Sequence, residues 1–538
     1  MRIMNKRKFI IAFFFLFAWV SLMAQSTDAE LRDKITNAVM QVYDEQIAKD
    51  PNDYNTLFAR AHQNYYNGDY LAALSDVNQA MLLTPKKDKD LRFDEHILRA
   101  RISEARQDYA SEIADLKLAQ ELKPKSLACT DLLAKANLKA GNLEAAEKAF
   151  RTILHAESRN YDAMYGLAQV EQARNNSAAA LAHVDKAVEL FRTTPQVYEN
   201  RADIYSRQGR IEDAVKDLIM GMSVDNGGNA AQRLFDLSDD HYTDVMSALG
   251  NLSLTAEDGG AMCRFLRANI AMDHNRYGQA LRDINYIKRN HLYDSEVIYY
   301  DHAKCLLELG RFDEALTSIN AAIDRNPSQA EFYVVKALAS FYAGGERNHQ
   351  LAMDALNSCS AIMPQYVPML MTKAALLSDQ GQDKEALSYL NAAVANEPAN
   401  AEARMARGLL MQRLGGYNDL PVKDFNVVSQ LNDDLYNLKG FALNELGRDA
   451  DVLKWTDDIA AANVPGGENF YYLAALMAAR GDNYKAMEYI QRAMSGGFGS
   501  LFRLQYDDLS PINLKSLREE PVFKELLLKS ERNFVEAD

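Results

Sequence analysis

The sequence is short of turn formers. Its 538 residues hold 26 glycines and 12 prolines, against usual shares of roughly 7% and 5%. A chain built of β-hairpins and long loops needs more of both, so the scarcity points to helix. Positive charge is also in deficit, with 60 Lys and Arg against 75 Asp and Glu and a formal net charge of −15. A surface of that sign repels phosphate backbones and anionic lipid, so nucleic acid is not an expected partner. Cysteine is sparse: Cys129, Cys263, Cys305 and Cys359 form no CxxC pair and no clustered spacing. Neither a zinc site nor a disulfide framework is expected, and the four read as small buried packing residues. Catalytic signatures are missing as well, for the chain contains no HExxH, GxSxG, GxxxxGK[ST] or GxGxxG. The chain therefore reads as non-enzymatic, with no catalytic residue, no metal and no cofactor expected.

One long apolar run is present, at the N-terminus. Arg2, Lys6, Arg7 and Lys8 precede the run Phe9 to Met23, and Ala24-Gln25 follows. This is the pattern of a secretory signal peptide, residues 1–24, cleaved after about Ala24. The run falls short of the ~20 residues a bilayer span needs, so no stable membrane insertion is expected after cleavage. Loss of the four cations takes the net charge from −15 to −19. The mature chain is expected to be exported, with the periplasm of a Gram-negative bacterium as its compartment.

Gly141, Asn175 and Gly209 stand 34 apart, and Ala146, Ala180 and Ala214 repeat that register. Downstream, Gly310, Gly344, Gly381, Gly415, Gly447 and Gly481 follow at 34, 37, 34, 32 and 34. A fixed period of this size means a solenoid in which each unit is one helical hairpin. Pro85, Pro124, Pro327, Pro364 and Pro398 close units where one helix must stop before the next begins.

These residues resemble the tetratricopeptide repeat family. In its unit, small residues stand at positions 8, 20 and 27, glycine at 15, an aromatic at 17 and proline at 32. Ala61, Gly68, Tyr70, Ala73, Ala80 and Pro85 occupy those places, as do Ala303, Gly310, Phe312, Ala315, Ala322 and Pro327. The resemblance implies an all-α, right-handed superhelical solenoid of about thirteen stacked helix-turn-helix units. A capping helix is expected in 25–53, units 1–5 in 54–226 and units 7–13 in 261–500. The stretch 227–260 lacks the small-residue register and reads as a degenerate unit or as a domain break. In 501–538 a capping segment is expected, with Leu514, Leu517, Val522, Phe523, Leu526 and Leu527 covering the end of the stack.

Position 7 of the family unit is usually leucine, yet Arg60, Arg99, Arg201, Arg267 and Arg407 fill it here. Each of those units carries an aspartate in its second helix: Asp76, Asp115, Asp217, Asp283 and Asp424. Units with leucine at that place (Leu133, Leu167) have Ala149 and His183 instead. The matched occurrence implies structural Arg–Asp pairs inside the hairpins rather than a ligand-binding arginine ladder. His241 sits among carboxylates in Asp236 to Asp244, where helix capping is the plainer reading.

In this family positions 2, 5, 9 and 12 of each first helix line the concave face. In the first five units they give a polar wall that includes Asp94, Arg101, Glu104, Asp131, Lys135, Asp162, Gln169, Glu199 and Asp203. From the seventh unit on, they give Met262, Phe265, Met272, Tyr300, Val334, Leu338, Phe341, Met371, Met405, Leu409, Phe441 and Tyr471. Large apolar residues on a wall that should be wet imply either a partner protein or peptide, or self-packing by a tight superhelix or a homo-oligomer. Positions 5 and 9 hold Phe58 with His62, Ile97 with Arg101, and Asp131 with Lys135, which is not the carboxylate clamp some family members use for a cytosolic chaperone tail. The resemblance implies an envelope scaffold or adaptor. An accessory subunit of an envelope enzyme or secretion complex and a glycan-binding module are the alternatives.

Overall fold

The computed structural model describes residues 38–224, 229–256, 260–431, 438–462, 464–510 and 512–535. The expected signal peptide and the first part of the expected capping helix lie outside them. Among the described residues every regular element is helical.

The helices come in pairs for a local reason. A polar residue opens many of them by accepting backbone N–H groups of the first turn: Asp53 from Asn55 and Thr56, Asp69 from Ala72, Asp108 from Ser111, Asn160 from Ala163. Between the two helices of most pairs the chain passes through one left-handed residue. Gly68, Gly141, Gly209, Gly310, Gly381 and Gly481 hold it at φ between 70° and 80°, while Gln107, Asn175 and Asn275 hold the same turn position at φ 55° to 60°.

The chain divides into two compact units, residues 1–237 and 238–538. The division falls in 227–260, within the helix Ala230–Thr255, whose His241 has non-helical angles of φ −130° and ψ 38°. In the first unit five hairpins follow one another, from Tyr54–Tyr66 with Tyr70–Leu83 to Pro195–Arg207 with Ile211–Val224. In the second the series runs from Ala261–Asp273 with Tyr277–Arg289 to Glu468–Ala479 with Asn483–Ser495.

Within a hairpin the helices approach through fully buried alanines, such as Ala61, Ala73 and Ala80 in the first pair. Where glycine replaces alanine, an aromatic ring takes the space. A Cβ on Gly408 would lie 2.5 Å from the Phe425 ring, and one on Gly440 2.4 Å from Trp455. The four cysteines are buried.

Beside this packing run five arginine–aspartate forks. Arg60 donates Nε–H and Nη2–H to the two oxygens of Asp76 at 2.9 and 2.7 Å. Arg99 does so to Asp115 at 2.8 and 2.7 Å, Arg201 to Asp217 at 2.7 and 2.8 Å, and Arg407 to Asp424 at 2.8 and 2.7 Å. Arg267 grips Asp283 with the same fork, Nε at 2.6 Å. The aspartates are all buried while the arginines keep partial access to water, which lets a planar cation cross the hairpin without full desolvation.

The C-terminal segment takes a different path from the one expected. Its last helix, Pro521–Lys529, does cover the final hairpin: Phe523 and Leu527 share one apolar cluster with Leu514, Leu517, Ile490 and Met494. Val522 does not take part, being 55% exposed, because the helix turns that face to solvent. Residues 502–507, however, also reach earlier hairpins of the second unit, packing against Phe312 and Tyr342.

Candidate functional site: the wall of the second unit

None of the twelve apolar residues expected on the concave wall is exposed. Met262, Phe265, Met272, Tyr300, Leu338, Phe341, Met371 and Leu409 are partly buried. Val334, Met405, Phe441 and Tyr471 are buried, Met405 and Tyr471 to 1% and 2% exposure. For these four the expectation of a wet, partner-facing surface is corrected: the protein itself covers them. The Tyr471 ring stacks on Phe498 at 5.0 Å and 10°, and Phe441 and Met405 join the same cluster. Phe341 is stacked on His349, with centroids 4.7 Å apart. In the first unit, by contrast, Asp94, Arg101, Lys135 and Asp162 are exposed. Glu199 departs from that wet wall: it is 2% exposed, accepts from Asn229 N–H and lies 3.6 Å from Arg233.

Part of the covering comes from the segment after the last hairpin. Gly499 N–H donates to the Asn275 carbonyl at 2.8 Å, and Arg276 donates to the Gly496 carbonyl at 3.0 Å. The first and last hairpins of the second unit thus meet. From there Ser500 caps the short helix Leu501–Gln505 and donates its hydroxyl to Glu308. Phe502 packs edge-on to Tyr342 at 4.8 Å, and Tyr506 edge-on to Phe312 at 5.1 Å. Tyr342 donates its hydroxyl to Asp507 at 3.2 Å and accepts Leu509 N–H at 3.3 Å. Residues 507–510 and 512–514 of the strap have no regular structure, and Arg518 anchors it by donating to the Leu504 and Asp507 carbonyls.

Under the strap lies a cavity of about 730 Å³. Its apolar side includes Leu338, Met371, Met405 and Leu409 from the wall, with Leu509 and Ile512 from the strap. Its polar side includes Glu402, Arg503 and Asp507. Arg503 donates to Glu468 at 2.6 Å. Burial holds the carboxyls of Glu308, Glu402 and Asp507 above their ordinary values, the nearby Arg503 pulling the other way.

Histidine and acid chemistry is sparse among the described residues. Asp239, Asp273 and His274 bring their ligand atoms within 4.8 Å of one another. But His274 Nε2 already faces Ser238 Oγ at 3.2 Å, and burial together with Arg276 depresses its pKa to about 4. A fixed guanidinium beside the group opposes a second cation there. His302 is enclosed by Ser318, Lys288 and Asn285 at 2.6, 2.9 and 2.9 Å, and burial pushes it down to about 3. It is a neutral packing group. The strap over the wall was the feature that sequence reasoning missed, and its signal was Leu501 to Ile512, where Phe502, Leu504, Leu509 and Ile512 exceed what a terminal cap needs.

Among solved structures, the C-terminal part of a TPR repeat-containing protein from Cytophaga hutchinsonii is 16% identical, with 43% of this chain and 96% of that one covered and a TM-score of 0.33. A tetratricopeptide repeat protein from Parabacteroides merdae is 16% identical over 47% and 100%, at a TM-score of 0.25. YrrB, a TPR protein with an unusual peptide-binding site, is 16% identical over 42% and 99%, at 0.23. No curated protein matches the chain. Residues 132–197 and 300–358 match the tetratricopeptide repeat family model, and the described residues are arranged as the successive paired helices of such repeats.

Proposed function

We propose that the protein is a non-enzymatic scaffold or adaptor of the bacterial cell envelope that holds a partner protein or peptide along the first-helix wall of its second unit. One observation carries the reading: the wall already holds irregular polypeptide, the protein's own residues 507–510 and 512–514, by apolar packing of Leu509 and hydrogen bonds of Asp507 and Leu509 to Tyr342. A surface that accepts one extended segment has the side chains to accept another. Tetratricopeptide repeat proteins bind protein or peptide partners, and the half-buried Met371 and Leu409 supply the adaptable apolar contacts such binding uses. Export rests on the cationic and apolar N-terminal pattern of residues 1–24. No described helix is long and apolar enough to cross a membrane.

The test is in-cell crosslinking of the tagged protein, with captured proteins identified by mass spectrometry, for the native chain and for Leu409→Asp. One envelope protein captured by the native chain and lost from the variant is the expected result. Capture unchanged by Leu409→Asp overturns the wall as the binding surface. A mature N-terminus other than one near Gln25, or a cytoplasmic fraction, overturns the location.

A further inference from the structure

We propose that the cavity under the strap receives the lysine or arginine side chain of a partner peptide whose neighbouring residues are apolar. The inference rests on the scaffold reading above and names the chemistry of its ligand. The cavity's size, about 730 Å³, lies in the range of roughly 300–1,000 Å³ usual for ligand sites. Its lining has two characters. Leu338, Met371, Met405 and Leu409 form an apolar floor suited to a hydrocarbon stem and its apolar neighbours. The polar end is acidic in excess.

Four carboxylates surround the single guanidinium of Arg503, namely Glu308, Glu402, Glu468 and Asp507. Three have partners: Glu468 takes Arg503, Glu308 takes the Ser500 hydroxyl, and Asp507 takes Tyr342 and Ser510 N–H. Glu402 makes no hydrogen bond and no ion pair with any described residue, and it opens onto the cavity. At the far end of a neighbouring first helix Asp379 also lines the cavity with no such partner. The remaining cation there, Arg413, is already bound to Ser378 and Asp383. The charge left to face a ligand is therefore negative. A side chain with a long apolar stem and a terminal cation satisfies both linings at once, and an acidic or neutral polar one does not. The formal charge of −15 steers basic segments toward the protein in the same sense.

The experiment uses the full mature chain and fluorescein-labelled Ala-Leu-Lys-Leu-Ala, followed by fluorescence anisotropy. Two control peptides replace the lysine by norleucine, which keeps the stem without the charge, and by glutamate. The lysine peptide is expected to bind at least about tenfold tighter than either control. That advantage should shrink with added salt. Glu402→Gln should remove the advantage while leaving norleucine-peptide affinity and the thermal midpoint unchanged. A lysine preference that is absent, or that survives Glu402→Gln, overturns the proposal, as does failure of all three peptides to bind. If partner capture is lost in Leu409→Asp but Glu402→Gln has no effect on any peptide, the inference falls and the scaffold reading stands.

Discussion

The two units are built from the same hairpin, with the same left-handed turn and the same Arg–Asp fork, yet their walls differ. In the first unit Asp94, Arg101, Lys135 and Asp162 stand in water. In the second the twelve apolar residues from Met262 to Tyr471 stand at such positions and none of them is exposed. The second unit also joins its first hairpin to its last through Asn275, Arg276, Gly496 and Gly499, and lays the chain's own end along the wall. The difference teaches that wall composition in a repeat array follows what lies against the wall. The hairpin's inner contacts leave those positions free to be wet or dry.

The comparison breaks most directly if the strap is removed. Truncation after Ser500 deletes Phe502, Leu504, Leu514, Leu517, Phe523 and Leu527, all buried. At about 1.5–3 kcal/mol for each buried side chain, the loss is about 10 kcal/mol or more. Domain stabilities are typically about 5–15 kcal/mol. The second unit is expected to lose cooperative unfolding and amide-exchange protection, while hairpins from Tyr54 to Val224 keep theirs. Hydrogen exchange followed by mass spectrometry separates the two. Protection retained in the second unit would mean that its apolar wall does not depend on the strap.

A smaller effect sharpens the contrast between two forks. Asp283 is fully buried and faces both Arg267 and Arg264, so Asp283→Ala strands two cations and should cost about 3–5 kcal/mol. Asp76→Ala in the first unit should cost less, about 1–3 kcal/mol, because Arg60 is 23% exposed and keeps Asp44 at 2.6 Å. Urea midpoints of the two variants give the order. Equal losses would show that the second unit's drier surroundings do not reach its forks. A double-mutant cycle on Arg60 and Asp76 should return a coupling of about 0.5–3 kcal/mol, and a coupling near zero would count against a structural pair.

The repeat and the forks are legible in the sequence because both are periodic. Gly68 or Asn175 marks a turn at a nearly regular interval, and an arginine at position 7 recurs with an aspartate 16 or 17 residues later, as Arg60 does with Asp76. The wall's polar-to-apolar change is legible too, as a composition. Its cause is not, because the contact of Phe502 with Tyr342 or of Gly499 with Asn275 joins residues 160 or more apart. No period links them. The same holds for the cavity, since Glu402 reads as an ordinary first-turn acid of the helix Ala401–Leu414 and only the fold places it in the cavity lining.

The smallest expected effect asks which differences do not belong to the wall. Glu112, on the helix Tyr109–Leu122, is 4% exposed and one of its oxygens has no hydrogen bond. Burial, reinforced by Glu104 and opposed by Lys139, raises its pKa to about 7. In the unfolded chain the same carboxyl titrates near 4.5. The folded state therefore holds the proton more tightly. Its contribution is fully present below pH 4.5 and is lost as the pH rises through 7. Glu112→Gln removes that loss, so the variant should match the native protein at pH 4 and exceed it by on the order of 1 kcal/mol at pH 8. Asp301 in the second unit is raised to about 6 by burial, also with an oxygen lacking a hydrogen bond. Asp301→Asn should shift stability in the same direction in urea unfolding at the two pH values. A shared sign assigns these buried acids to hairpin packing, common to both units, whereas a gain confined to Asp301→Asn would tie the effect to the closed wall.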